Sequence, residues 1–446
     1  MLIRFVVNNF LSFSEEKEFN MIASSYRSHK HHVYNAGKVD VLKSGAIYGA
    51  NGAGKSNLIK ALDFLKDIIQ NKKLYKSIND KKFKLNDDCH NKPIEFEIEY
   101  SINKKIYSYG LSIDNFTVIQ EWLYESGIDI DDKIIFERKA TAKGKSKITV
   151  PAKFKKTKKQ ELLFELMEDN LLKSNEVLVG KFENLKIPEI ESFYKWITDD
   201  VQIIYPESKF NALVPAFTQS KKFKSFANDL LQTFDTGVSE LDIENVKFET
   251  FFGEEDEELT NEFLNELKEG HSIVFRSEKG PVLITTENDK PIVKKVISIH
   301  HNELGNKIKF DLDEESDGTQ RLLDFIPAFD YILNRDITII IDEIDQSLHP
   351  TLLKSVIKKV MDDDETMGQI IFSTHESNLL DLDIFRPDEI WFAEKNKIKG
   401  NTEIYSLHDF KPRNDLDIRK GYLKGRFGAI PFLAQLEDLN WTEHEA

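Results

Sequence analysis

Apolar and polar positions change period several times along the chain, and each change predicts an element. Residues 2–7 and 18–23 flank the polar turn SFSEE and predict a strand and its hairpin partner. The runs IEFEIEY (94–100), KIYSYGLSI (105–113) and TVIQEWLY (117–124), separated by polar turns, predict an antiparallel sheet. Between these groups Ala46, Ile47 and Tyr48 form a short apolar strand, and Leu58, Ile59, Leu62 and Leu65 then recur at helical spacing. From 160 to about 267 the pattern is mostly helical, with short strands such as 201–206 and no persistent heptad, which argues against long coiled-coil arms. The strands SIVFR, VLIT and KKVISIHH follow, then a helical face of Leu322, Phe325, Ile326, Phe329 and Leu333. Residues 337–341 are continuously apolar, as strands buried on both faces are. A helix at 351–361, a second buried strand at 369–372 and final strands at 389–394 and 403–407 complete an α/β pattern.

The strand at 46–48 runs into GANGAGKSN, where Gly49, Gly54, Lys55 and Ser56 satisfy G-x-x-x-x-G-K-[ST] without a mismatch. This is a P-loop: its backbone N–H groups turn inward around a polyphosphate, and the new helix points its positive end at the same charge. Gly49, Asn51, Gly52, Gly54, Lys55, Ser56 and Asn57 are therefore the expected nucleotide-binding residues, with ATP as the ligand. Lys55 would face the β- and γ-phosphates and Ser56 would ligate Mg²⁺ through its hydroxyl. The strand at 337–341 ends in Asp342 and Glu343, at the edge where α/β proteins place their ligands. Two buried carboxylates there would be costly without a cation, so Asp342 is expected on Mg²⁺ and Glu343 on the attacking water.

Composition narrows the setting. The chain has 446 residues, ample for several domains, and 77 acidic against 61 basic side chains give a net charge of −16, so any nucleic-acid contact needs a local basic patch. One such patch exists: 138–159 holds ten basic residues and no acidic one, and reads either as a contact to phosphate backbones or as a solvated loop balanced by acidic neighbours such as 254–258. A single cysteine, Cys89, excludes an intrachain disulfide framework, and the N-terminal apolar run is too short for a signal or membrane segment, so a cytoplasmic protein without membrane contact is expected. His29, His31 and His32 cluster in a lysine- and serine-rich stretch; a metal site would need more ligands than these three, and a solvated loop is expected.

Ser316, Asp317, Gly318, Thr319 and Gln320 open the helix that precedes the Asp-Glu strand, and FSTHES carries His375 at the end of the next strand. This order resembles the ABC-type ATPases of the RecF, SMC and OLD kind. The resemblance implies an ABC-type head with a mixed central sheet, a flanking antiparallel sheet and a helical insertion lobe, divided here at 1–135, 136–300 and 301–446. It makes Ser316, Gly318, Thr319 and Gln320 the signature motif that serves the nucleotide of another subunit, 345–349 the loop that crosses a dimer interface, and His375 a contact to the γ-phosphate. Lys55, Glu343 and His375 are then the catalytic residues. The opening NNFLSF is similar to the start of these ATPases, with Leu11 where many carry Arg or Lys, and Gln120 or the loop around Gly180 are candidates for their glutamine-bearing loop.

EWLYESG, EESDGTQRLL, DEIDQSLHP, FSTHESNLLD, RPDEIWFAEK and KGYLKGRFGAIPFL together resemble ABC-type ATPases of bacterial anti-phage and abortive-infection systems, including the ATPase subunits of PARIS- and Septu-type defence. OLD relatives add a Toprim nuclease, for which no room is expected after the last strands. The implied function is Mg²⁺-dependent ATP hydrolysis by a sensor or scaffold that controls a separate toxic effector, such as a nuclease, upon a nucleic-acid or phage-protein trigger. The implied assembly is a head-to-tail dimer sandwiching ATP, with larger oligomers open. The alternative is a RecF-like repair ATPase acting directly on DNA. The motif at 421–433 reads as a packing tail or as a docking site for a partner.

Overall fold

In a computed structural model, residues 1–430 are described apart from 128–130, 142–143, 209–211, 235, 253–262, 266, 268–271, 278–279, 289 and 414–415. Their contacts form two compact units. The first comprises Met1–Tyr205, Asp336–Ile344 and the described residues from Met361 onward; the second comprises Pro206–Arg335 and Asp345–Val360. The expected boundaries at 135 and 300 are therefore displaced. Residues 136–205 stay with the first unit because Phe164, Val179, Ile190, Phe193 and Trp196 join the same core as Phe5, Leu62 and Ile98.

Among its described residues the first unit carries two large sheets and a two-stranded one, Val33–Asn35 with Asp40–Leu42. The central one has six strands in the order Val201–Ile204, Thr338–Ile341, Gln369–Thr374, Ser44–Tyr48, Ile390–Lys395 and Thr402–Ser406. The first five run parallel and the last pairs antiparallel, giving the mixed sheet expected. Every residue of Thr338–Ile341 and Gln369–Thr374 is buried, which is why Ile339–Ile341 and Ile370–Phe372 read as unbroken apolar runs. The flanking antiparallel sheet has seven strands in the order Ser146–Thr149, Lys133–Ala140, Thr117–Glu125, Lys105–Asp114, Ile94–Ile102, Leu2–Asn8 and Lys17–Asn20. In Ile94–Ile102 burial alternates: Phe96 and Ile98 face the core, while Glu97 and Glu99 each bind Arg4 at 2.8 Å.

Gln369, fully buried at the start of its strand, joins the two sheets with one side chain. Its Oε1 accepts from the Leu2 amide at 2.9 Å and from Thr338 Oγ1 at 3.1 Å, and its Nε2 donates to the carbonyls of Leu2 (2.9 Å) and Leu42 (2.8 Å). Beyond the last strand, Tyr405 Oη donates to the Phe427 carbonyl at 2.9 Å, and Phe392 stacks on Tyr422 and Phe427. The motif at 421–433 thus packs on the sheet as far as it is described; 431–433 lie outside the described residues.

The basic stretch is not a loop. Its first part, 138–140 and 146–149, lies in the outer two strands of the antiparallel sheet, Lys133–Ala140 and Ser146–Thr149, with Ile135, Phe136 and Ile148 buried, while Lys153–Lys159 follow in a short 3-10 turn and the start of the helix Lys158–Leu166. Arg138, only 1% exposed, turns inward: Nε donates to Ser146 Oγ (2.9 Å), Nη2 to the Lys173 carbonyl (3.0 Å), and Nη1 lies 3.5 Å from Glu121 Oε2. Glu121 also accepts from the amides of Leu178 (2.6 Å) and Val179 (3.0 Å). Burial raises the Glu121 pKa and lowers that of Arg138, and the attraction between the two together with these bonds opposes both shifts. Losing one partner of such a pair costs about 3–5 kcal/mol. Arg138→Ala is expected to lower the unfolding free energy by about that amount in a urea titration. Of the lysines, Lys145 pairs with Asp169 and Lys153 with Glu189, so part of the patch is neutralised locally; the acidic run at 254–258 lies outside the described residues.

The second unit combines a five-stranded antiparallel sheet with helices. Lys290–His301 pairs with Glu240–Lys247, Gly280–Glu287 and Lys307–Asp311, and Gly280–Glu287 also pairs with Ile273–Ser277. The helices Leu213–Gln219, Lys221–Thr233 and Asp317–Asn334 belong to this unit. The helical pattern expected to about 267 gives way at Glu240–Lys247, a strand whose alternate Asp, Glu and Asn residues hide it.

Candidate functional site

Parallel register assembles the site. Tyr48 pairs with Thr374 and Ile341 with Phe372, so the strands end together and place Gly49 beside His375 and Asp342 beside Ser373. The residues emerging from these three strand ends are the motif residues of the sequence, with no long loop needed to bring them together.

The phosphate loop is a tight turn. A Cβ on Gly49 would meet the Ala393 carbonyl oxygen at 2.3 Å, and Gly54, with φ of 107°, would place one 2.0 Å from Thr402 Oγ1. Only glycine fits either position. Thr402 Oγ1 donates to the Ala53 carbonyl at 2.9 Å and contacts Ser12 Oγ at 2.8 Å, while Asn57 Nδ2 reaches the same serine hydroxyl at 2.8 Å. Ser12 and Thr402 therefore strap the loop from outside. Leu11, beside Ser12, holds a left-handed turn and donates its amide to the Lys81 carbonyl. Asn51 and Gly52 are exposed at the tip of the loop.

Lys55 begins the helix Lys55–Gln70, whose face of Leu58, Ile59, Leu62 and Leu65 is buried as the spacing predicts. Its ammonium, 5% exposed, donates to the Gly49 carbonyl at 2.9 Å and to the Ala50 carbonyl at 3.3 Å, and lies 2.9 Å from His375 Nε2. The last contact requires that nitrogen to accept, so it is unprotonated in this arrangement. A bound phosphate would compete with these acceptors for the ammonium's protons.

Asp342, 3% exposed, accepts at Oδ1 from Ser56 Oγ (3.1 Å) and from Ser373 Oγ (2.5 Å). Ser373 in turn accepts from the Glu343 amide at 2.8 Å. Glu343 is half-buried with φ of 50°, a left-handed conformation unusual outside glycine and of the kind that collects at functional sites. Octahedral Mg²⁺ with bonds of about 2.1 Å sets neighbouring ligand oxygens about 3 Å apart. Ser56 Oγ and Asp342 Oδ1 have that spacing, and both are hard oxygen donors, so the residues present fit the ion.

In the second unit, Ser316 caps the helix Asp317–Asn334 by accepting from the Thr319 amide at 3.2 Å, and its hydroxyl contacts that of Thr319 at 2.9 Å. Gln320 Nε2 donates to the Glu315 carbonyl at 2.8 Å. A Cβ on Gly318 would lie 2.9 Å from the Ser347 carbonyl oxygen, so this glycine packs closely on the 345–349 loop. Arg321, absent from the expected set, donates to the Ser208 carbonyl and stacks on Phe325 at 4.3 Å. Gln120 stands within the antiparallel sheet opposite Ser112 and Lys139, and Gly180 packs against Lys72.

Sequence reasoning missed Ser373, Ser12 and Thr402. Ser373 had a signal, a hydroxyl two residues before the strand-end histidine; the strap of Ser12 and Thr402 joins the two ends of the chain and had none.

No curated protein matches the chain. Among solved structures, it is similar to the SMC head domain from Thermotoga maritima, with 11% identity over 91% of this chain and 98% of that one at a TM-score of 0.39. It is also similar to an Smc head domain with an extended coiled coil bound to the C-terminal domain of ScpA, derived from Pyrococcus furiosus, with 13% identity over 92% and 99% at 0.41. No helix among the described residues is long and apolar enough to cross a membrane. A family model described as "AAA domain, putative AbiEii toxin, Type IV TA system" matches residues 46–381, more than half of the chain, and the chain belongs to this family of P-loop ATPases.

Proposed function

We propose that the chain binds ATP at 49–57 and hydrolyses it with Mg²⁺, and that it uses this cycle to hold or release a separate toxic effector in defence against phage. The observation that carries the chemistry is the meeting of Lys55, Ser56, Asp342, Glu343 and His375 at three adjacent strand ends. Lys55 binds the β- and γ-phosphates, and Ser56 and Asp342 hold Mg²⁺, which when bound neutralises phosphate charge. Glu343 accepts the proton of the attacking water, and His375, beside Lys55, contacts the terminal phosphate. Control of an effector is supported by the family's description as part of a toxin–antitoxin system and by the resemblance of the motifs to defence ATPases. The RecF-like alternative is not favoured: Arg138 is buried and two of the lysines of its patch are paired. The test is phage plating on cells carrying the locus with its neighbouring open reading frames. Lys55→Ala is expected to abolish protection; full protection by that variant would refute a role for the ATP cycle.

A further inference from the structure

The histidine cluster is not a solvated loop. His32 is 1% exposed, and its Nδ1 lies 3.0 Å from both carboxylate oxygens of Glu389, itself fully buried. With Nδ1 committed as the donor, Nε2 is left as a bare acceptor, buried and with no hydrogen-bond partner. His31 is placed differently: its ring bonds to the Met361 backbone, Asp364 Oδ1 lies 3.6 Å from Nδ1, beyond hydrogen-bond reach, and its buried Nε2 also has no partner. His29 uses Nε2 on the Leu382 carbonyl at 2.9 Å, which leaves Nδ1. One ring nitrogen from each histidine lies within 4.8 Å of the others. Two orphaned buried acceptors so close together would be expensive with nothing to bind.

We infer that His29, His31 and His32 form a three-histidine site for a divalent transition ion, of which Zn²⁺ is the best fit, with a fourth position open to water. Imidazole nitrogen suits Zn²⁺, and three histidines plus water is a known coordination set for it. Each ring has an outer partner of the kind that orients metal-binding histidines: a carboxylate for His32, and backbone groups of Leu382 for His29 and Met361 for His31. Glu389 is itself fixed by Ser44 Oγ (2.6 Å) and the Arg386 amide (2.7 Å). The Arg386 guanidinium also holds the approach to the histidines, donating to the carbonyls of Ser24, Tyr26 and Ser28 at 3.1 Å each. His29 and His31 are half-exposed, which gives them room to close on an ion and gives water access to it. Ser44 begins the strand that ends in the phosphate loop, so the site lies at the opposite edge of the central sheet from the Mg²⁺ ligands, about 15 Å away for a five-residue strand. The ion would tie 24–32 to 382–389 and is independent of the ATP reading.

The test uses untagged full-length protein, stripped with chelator and kept in excess Mg²⁺ so that Ser56 and Asp342 do not compete. Calorimetry is expected to show one Zn²⁺ per chain, and Co²⁺ in its place is expected to give the intense visible bands of a four-coordinate site. His31→Asn and His29→Asn should each weaken Zn²⁺ by more than the tenfold to hundredfold typical of losing an outer partner. Asn tolerates the left-handed backbone of His29, and neither side chain is fully buried, so both variants should fold; circular dichroism checks this. Glu389→Gln, which keeps the shape and loses the charge, should fall in the tenfold to hundredfold range. Absence of stoichiometric Zn²⁺ binding, a six-coordinate Co²⁺ spectrum, or full affinity in folded His31→Asn and His29→Asn would each overturn the site.

Discussion

Glu343→Gln is expected to bind ATP as the unaltered chain does and to hydrolyse it roughly a hundredfold to ten-thousandfold more slowly, the range that a positioned general base contributes. The two carboxylates at the strand end differ in their freedom. Asp342 is buried with two hydroxyls on one oxygen and a backbone amide bonded to the Ile204 carbonyl, so it is committed to holding charge in place. Glu343 has only its backbone fixed, by Ser373, and its side chain is half-buried on a left-handed residue. A glutamine there keeps the shape and the backbone contact but cannot take a proton. Lys55→Ala should fail at the earlier step, because it removes the ammonium that a phosphate would meet, so nucleotide affinity itself should fall. Fluorescent-nucleotide titration and phosphate release separate the two outcomes. Normal turnover by Glu343→Gln would remove this residue from the chemistry.

The second large effect concerns assembly. Ser316→Arg is expected to leave ATP affinity at the P-loop unchanged while abolishing both dimerisation and turnover. Ser316 is exposed at the N-terminus of an 18-residue helix, where backbone N–H groups and the helix dipole favour an anion, and Gly318 leaves no side chain in the way. In our proposal the anion is the γ-phosphate of ATP bound to a second copy, and a two-fold axis makes two such sites equivalent. ATP would then glue the pair and hydrolysis would loosen it. Mass photometry should show Glu343→Gln accumulating as a dimer with ATP and Ser316→Arg remaining monomeric. Mixed with Lys55→Ala, Ser316→Arg should recover at most one working site per heterodimer. Turnover by a strict monomer would end the composite-site proposal.

The parts of this molecule that could be read in advance are those whose information is local. The P-loop, the strand running into Asp342 and the helix face from Leu58 to Leu65 each announce themselves within a few residues, because backbone conformation and burial there are set by near neighbours. The strands Lys133–Ala140 and Ser146–Thr149 were hidden because the lysines on their outer face mask the alternation of Phe136, Arg138, Ser146 and Ile148 on the inner one. His32 could not be placed because the carboxylate that buries it, Glu389, is 357 residues away. Ser373 lay in plain view, but its position against Asp342 depends on the register of two strands. The contact-defined units differ from the expected division for a similar reason: residues 136–205 read as part of an insertion, and their packing joins them to the first core.

The amide of Gln369 also sets an order of events during synthesis. Leu2, which it grips by both backbone groups, precedes it by 367 residues. At roughly 5–20 residues per second a ribosome needs about 20 to 70 s to make that span. Lys17–Asn20 and Ile94–Ile102 emerge early enough to pair with the first strand, so the antiparallel sheet can begin to form on the nascent chain. Its seam with the central sheet cannot close until the strand Gln369–Thr374 is made, because that strand lies between Thr338–Ile341 and Ser44–Tyr48. For most of translation the apolar edges of Ser44–Tyr48 lack both neighbours, Gln369–Thr374 and Ile390–Lys395, and unpaired strand edges of this kind favour aggregation.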